Sequence, residues 1–151
     1  RGQVLMLTFD DPRAGDGTLI SDLMSGWIDE TPWMPFVHTA REMHGFGPWL
    51  CDVADVTVLR AGSDFAGFFA FQDEKLQAFF VTADRRGQGV GAQAMARMKS
   101  QKSHIALWTF QQNTGAQRFY ERHGFVETDR TDGARNDEKI PDMKYEWSVP
   151  A

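Results

Sequence analysis

Arg86-Gly87-Gln88-Gly89-Val90-Gly91 lies between an apolar run and an amphipathic segment, and its reading decides the fold. Ahead of it, Leu76-Gln77-Ala78-Phe79-Phe80-Val81 has the length and aromatic content of a buried strand. Behind it, Gly91, Ala94, Met95 and Met98 recur at i, i+3, i+4 and i+7, the spacing of one helix face. Strand, glycine turn and helix together make an anion cradle. Without Cβ atoms the backbone approaches a ligand closely, and the unpaired N–H groups of the first helical turn point at it with the positive end of the helix dipole. A phosphate or pyrophosphate fits that description.

Three phosphate cradles compete for this stretch. A nucleotide P-loop needs Lys and then Ser or Thr after its last Gly, whereas Ala92-Gln93 follow Gly91. A dinucleotide fingerprint matches Gly87-Gln88-Gly89-Val90-Gly91-Ala92, but needs an acidic residue about 20 positions on for the ribose hydroxyl. Leu107-Trp108-Thr109-Phe110-Gln111-Gln112-Asn113 supplies none. The third pattern, R-x-x-G-x-G, is met by Arg86, Gly89 and Gly91.

A second segment, Asn113-Thr114-Gly115-Ala116-Gln117-Arg118-Phe119-Tyr120-Glu121-Arg122-His123-Gly124-Phe125, resembles the second motif of the GCN5-related N-acetyltransferase (GNAT) superfamily. Both motifs stand in that family's order and at about its separation. The resemblance covers roughly the second half of the chain. It implies an α/β fold with a mixed, mostly antiparallel central sheet flanked by helices. That sheet is split between its two central strands, here Lys75 to Val81 and His104 to Phe110, and acetyl-CoA sits in the split.

Length, composition and charge narrow the alternatives. A chain of 151 residues is most simply one domain, large enough for a core without disulfides. Its lone cysteine, Cys51, suits a reducing compartment and reads as a small buried hydrophobe rather than a nucleophile. No window reaches transmembrane length, so a cytoplasmic location is the default expectation. Net charge of −5 and a pI near 5.3 argue against nucleic acid and toward cationic acceptors. His38 and His44 lie near Glu42, but no spacing matches a zinc site, so no metal is expected.

Along the chain, Val4 to Phe9 reads as a strand, and Thr18 as the cap of a helix to about Glu30 that buries Leu19, Leu23 and Ile28. Trp33 to Leu50 is broken by Pro35, Gly45, Gly47 and Pro48, with a short helix expected around Thr39 to His44. Three antiparallel strands follow: Val53 to Arg60, Phe65 to Gln72 and Lys75 to Val81. The remaining elements are a helix from Gly89 to Gln101, a strand His104 to Phe110, a helix Gly115 to His123, and strands Phe125 to Asp129 and Met143 to Ser148. Arg130 to Asp142 reads as a hairpin loop able to reach an acceptor site.

The resemblance also implies roles. The amides of Arg86, Gly87, Gln88, Gly89, Val90, Gly91 and Ala92 hold the pyrophosphate. Phe80 and Val81 pair their backbone with the pantetheine arm. Asn113 bonds that arm, with Ala116 and Phe119 packed beside it. Tyr120 matches the family's general acid, and a phenol of pKa about 10 stays protonated at neutral pH. Some members carry a Glu in the strand before the glycine loop, where this chain offers only Gln77, so the general base is unassigned. Trp33, Phe36, His38 and Trp108, with Asn136 to Lys139, are acceptor-pocket candidates that also have packing or solvent readings.

The leading expectation is an N-acetyltransferase acting from acetyl-CoA on a primary amine of a small molecule or peptide. Its rivals are a non-catalytic acyl-CoA-binding module and, more weakly, a dinucleotide-binding domain. The family commonly dimerises. Apolar residues between Trp33 and Trp49 allow a homodimer or core packing equally, which leaves the oligomeric state open.

Overall fold

The computed structural model describes residues 6–150, so Val4 and Leu5 of the first expected strand lie outside the described residues. Chain order is β1 (Leu7–Asp10), α1 (Asp16–Asp29), α2 (Ala40–Val53), β2 (Asp55–Ala61), β3 (Asp64–Gln72), β4 (Lys75–Val81), α3 (Val90–Gln101), β5 (His104–Phe110), α4 (Thr114–Arg122), β6 (Val126–Thr131) and β7 (Asp142–Ser148). The strands form one sheet in the order β1-β2-β3-β4-β5-β7-β6, antiparallel except at β4 and β5. The expected mixed, mostly antiparallel sheet flanked by helices is thus present.

Alternation along the central strands sends side chains to both faces, and each face is covered by helices. Val90, Ala94, Met95 and Met98 of α3 are buried against Phe69, Leu76, Ile105 and Tyr145. On the other face Ile20 and Leu50 pack on Val56, Val58, Phe68 and Ala70, with Ala78 and Phe80 alongside.

Two elements differ from the sequence reading. Helix α1 starts at Asp16 rather than Thr18, after Gly15 in the left-handed region at φ 90. Its entry is fixed by the carboxylate of Asp16, which accepts from the Arg13 N–H at 2.7 Å and pairs with Arg60 at 2.5 Å. Rotated by that start, the helix buries Ile20 and Ser21, and Leu19 is exposed.

Helix α2 runs to Val53, through the glycines and Pro48, instead of stopping near His44. Its start carries a full capping box between Thr39 and Glu42. Pro48 has no N–H for the His44 carbonyl, and Ser21 Oγ of α1 donates to that carbonyl at 2.9 Å. The same hydroxyl accepts from the Gly47 N–H at 2.8 Å. Gly47 is required by proximity, since a Cβ there would lie 1.8 Å from the Gly17 carbonyl oxygen. A partner helix therefore supplies what the proline removes, and Val53 belongs to α2 rather than β2.

The parallel pair positions the site. β4 and β5 meet in register only at Lys75 and Ala106, where the Ala106 N–H donates to the Glu74 carbonyl at 3.0 Å. Against β3, β4 jumps from Ala78 opposite Ala70 to Leu76 opposite Phe71, leaving Gln77 as a bulge. A bulge bends its strand and increases local twist. Beyond it the β5-facing edge of Phe80 and Val81 has no strand partner, although the other edge pairs with Phe68 and Gly67.

Candidate active site

A cleft of about 1020 Å³ opens where β4 and β5 part. Phe80, Val81, Arg86, Gly91, Trp108, Asn113, Ala116, Phe119 and Tyr120, all singled out in the sequence, stand in its walls. So do Trp27, Phe110, Arg122 and Glu138. Of these, Glu138 lies within the loop marked by sequence, whereas nothing local distinguished Trp27, Phe110 or Arg122.

Gly87, Gln88, Gly89 and Ala92 form the exposed turn at the head of α3, and Val90 is buried beneath it. Gly87 and Gly89 have φ of 77 and 81, which side chains with a Cβ rarely adopt. A Cβ at either would meet nothing within 4 Å, so space for a ligand lies over the turn. None of the N–H groups of Gly87, Gln88, Gly89, Val90, Gly91 and Ala92 donates to a backbone carbonyl of the described residues. A helix N-terminus with free amides favours an anion. The Arg86 side chain is already engaged, pairing with Glu30 at 2.7 Å.

Gly91 belongs to the first turn of α3 and packs against α4. A Cβ on it would come within 3.0 Å of the Phe119 ring. Phe119 also touches Phe79 and His123, which locks α4 against the cradle. Asn113 caps α4, its Oδ1 accepting from the Ala116 N–H at 3.1 Å. That leaves its NH₂ group without a protein acceptor among the described residues, in the wall of the cleft.

Tyr120 is 8% exposed and ringed by Phe119, Phe125 and Tyr145. Burial pushes its phenol well above the ordinary tyrosine value, which keeps it protonated. Its hydroxyl has no hydrogen-bond partner among the described residues, in contrast to Tyr145, which donates to Glu121 at 2.7 Å. A hydroxyl without a protein partner is paired by solvent or by a ligand. This one sits in a cleft wall, where a ligand can pair it.

The acceptor candidates separate. Trp108 lines the cleft, but Phe36 and His38 line a second cavity of about 260 Å³ instead. Trp33 stands in the walls of neither; its ring packs edge-on against Trp27 and Phe110. Asp73 and Glu74 are outside the cleft, and Glu74 is engaged with His104 at 3.1 Å. The Gln77 side chain turns to Gln72, donating to it at 2.7 Å. Among the described residues no group of His, Cys, Asp and Glu is arranged to hold a metal. No described helix is long and apolar enough to cross a membrane.

Comparison with known proteins gives the family and the fold. The model of the acetyltransferase (GNAT) domain matches residues 36–127, and the chain belongs to that family. No curated protein matches it. Among solved structures it is similar to apo YjaB from Escherichia coli, at a TM-score of 0.79 and 19% identity over 96% of this chain and 99% of that one. It is also similar to yncA from Salmonella typhimurium, solved with its cofactor acetyl-CoA, at 0.70 and 13% over 97% and 95%. A GNAT-family acetyltransferase from Bacillus cereus aligns at 0.73 and 14%, over 97% and 99%.

Proposed function

We propose that this protein, acting as a single acyltransferase domain, moves the acetyl group of acetyl-CoA directly to a primary amine of a small molecule or peptide. The observation that carries the reading is a free-amide turn at the head of α3 whose flanking Arg86 and Gly91 line the same cleft as the Tyr120 hydroxyl, which has no partner among the described residues. Bound acetyl-CoA supplies an activated thioester.

The chain's own groups supply the rest. The amides of Gly87 to Ala92 bind the pyrophosphate, without any need for the Arg86 side chain to leave Glu30. The free edge of Phe80 and Val81 pairs with the pantetheine arm, and one of its N–H groups faces the thioester oxygen, where charge develops. The NH₂ of Asn113 donates to the same arm, while Ala116 and Phe119 pack beside it. Tyr120 donates its O–H to the sulfur as the C–S bond breaks, and its raised pKa keeps it in the donor form. A new C–N bond would replace C–S, and the proton lost by the neutral amine would return through solvent in the open cleft to Tyr120, restoring its O–H.

Thermal melting with acetyl-CoA, CoA and NADH tests the first half of this reading. At a hundredfold excess over Kd, acetyl-CoA and CoA are expected to raise the midpoint by about 5–10 °C, with no rise from NADH. Thiol release with primary amines tests the second half. Binding without release would favour the regulatory acyl-CoA-binding module, a reading supported by the lack of a carboxylate on β4 within the cleft.

A further inference from the structure

The cleft contains one carboxylate among the described residues of its walls, that of Glu138 in the loop between β6 and β7. Glu138 also lines the smaller cavity, and only Ile28 and Met34 share that double position. It therefore stands where the two spaces meet. The cations in the cleft walls are Arg86 and Arg122. Arg86 is tied to Glu30, and Arg122 lies over the Phe119 ring on the cradle side. Among the described residues no Lys or Arg lines the smaller cavity, whose titratable groups are Asp29, His38 and Glu138 itself.

The loop that carries this residue is knotted by its own hydrogen bonds. Asn136 donates to the Ile140 carbonyl at 2.8 Å and to Asp142 at 3.2 Å, and its Oδ1 accepts from the Ile140 N–H at 3.3 Å. Thr131 donates to Asp142, and Lys139 reaches back to the Ala134 carbonyl at 2.9 Å. Lys139 takes a left-handed φ of 58, and Gly133 sits so close to Ile140 that a Cβ would lie 2.2 Å from its oxygen. Within this knot Glu138 has no ion pair or hydrogen bond with any described residue. A half-buried carboxylate that shares a cavity wall with Phe36, Val37 and Met43, and has no cation on it among the described residues, offers an incoming cation a partner.

We propose, resting on the acetyl-transfer reading, that Glu138 docks the ammonium group of a cationic primary amine whose apolar body occupies the smaller cavity, the docked group losing one proton to solvent before its nitrogen attacks. The acceptor class is then an apolar amine without a carboxylate. An amino acid is disfavoured, because no free Lys or Arg among the described residues at this junction receives its acid group.

The test uses 2-phenylethylamine and L-phenylalanine as acceptors, with saturating acetyl-CoA and thiol-release detection. Wild type is expected to favour 2-phenylethylamine by about tenfold or more in kcat/KM. Glu138→Gln is expected to raise the KM for that amine about tenfold, with the acetyl-CoA melting shift and the ligand-free midpoint unchanged. Phe36→Ala, at a residue 77% exposed, serves as a second variant. It is expected to raise the KM for 2-phenylethylamine and to leave that for methylamine unaltered.

An unchanged KM in Glu138→Gln overturns the proposal. Preference for phenylalanine does so as well, as does turnover of methylamine with neither 2-phenylethylamine nor phenylalanine accepted. Failure of the underlying reading has a different signature, no acetyl-CoA melting shift in the wild type or no thiol release with any of the three amines, and the proposal then falls with it.

Discussion

The cradle side of the cleft comes from one unbroken run, β4 through α4, while the facing side is assembled from α1, α2 and the β6–β7 loop. On the first side the functional atoms are largely backbone, presented by glycines and a helix N-terminus. On the second they are side chains brought together by long-range contacts: Ser21 to His44, Asp16 to Arg60, Glu138 beside Met34. A backbone site needs a local sequence signature because the turn must adopt special dihedrals. A side-chain pocket needs none, since its members are defined only by where the fold carries them.

The sharpest way to break this contrast is at Tyr120, where the contiguous run contributes a side chain. Tyr120→Phe is expected to lower turnover about 10²- to 10³-fold and to leave the acetyl-CoA melting shift as in wild type. Its ligand-free midpoint should hold or rise, because the hydroxyl removed has no protein partner among the described residues. Steady-state kinetics with melting curves read both. A large drop in midpoint with normal turnover would make Tyr120 a packing residue.

The facing side is more exposed to a single lost contact. Asp16 and Arg60 are both buried, and Asp16→Ala leaves the guanidinium with only Asp10, at 3.4 Å. The expected loss is about 3 kcal/mol of stability, read by urea denaturation. The acetyl-CoA melting shift should survive, since the cradle lies on other elements. A loss below about 0.5 kcal/mol would mean that α1 is held chiefly by Ile20 and the apolar packing around it.

These differences mark how far the sequence could be read. β4 and β5 run over the residues expected, because their apolar pattern and turn residues agree with the tertiary structure. α2 was legible only at its start, where Thr39 and Glu42 form a local box. Its continuation through Pro48 depends on a hydroxyl from α1, and no window on α2 contains that information. Glu138 was visible as a loop residue, but its lack of a partner and its place between two cavities emerge only in three dimensions. Trp33 shows the converse, an aromatic in a suggestive segment that packs on Trp27 and Phe110.

The smallest expected effect lies at the closed end of the split, where β4 and β5 still touch. His104 Nε2 lies 2.8 Å from Glu146 and Nδ1 3.1 Å from Glu74, so one imidazole links β5 to β7 and to the start of β4. Hydrogen bonds to Glu146 and then Glu74 raise its pKa above the ordinary 6.5. A raised folded-state pKa means that the folded chain binds the proton more tightly than the unfolded one. The stabilisation is therefore complete below about 6.5 and disappears as pH climbs through the folded value. The ring is partly exposed, so solvent keeps the effect small. His104→Gln should lower the midpoint by about 1–2 °C at pH 6 and by less at pH 9. A difference between wild type and variant that is flat with pH would show that the link works by packing alone.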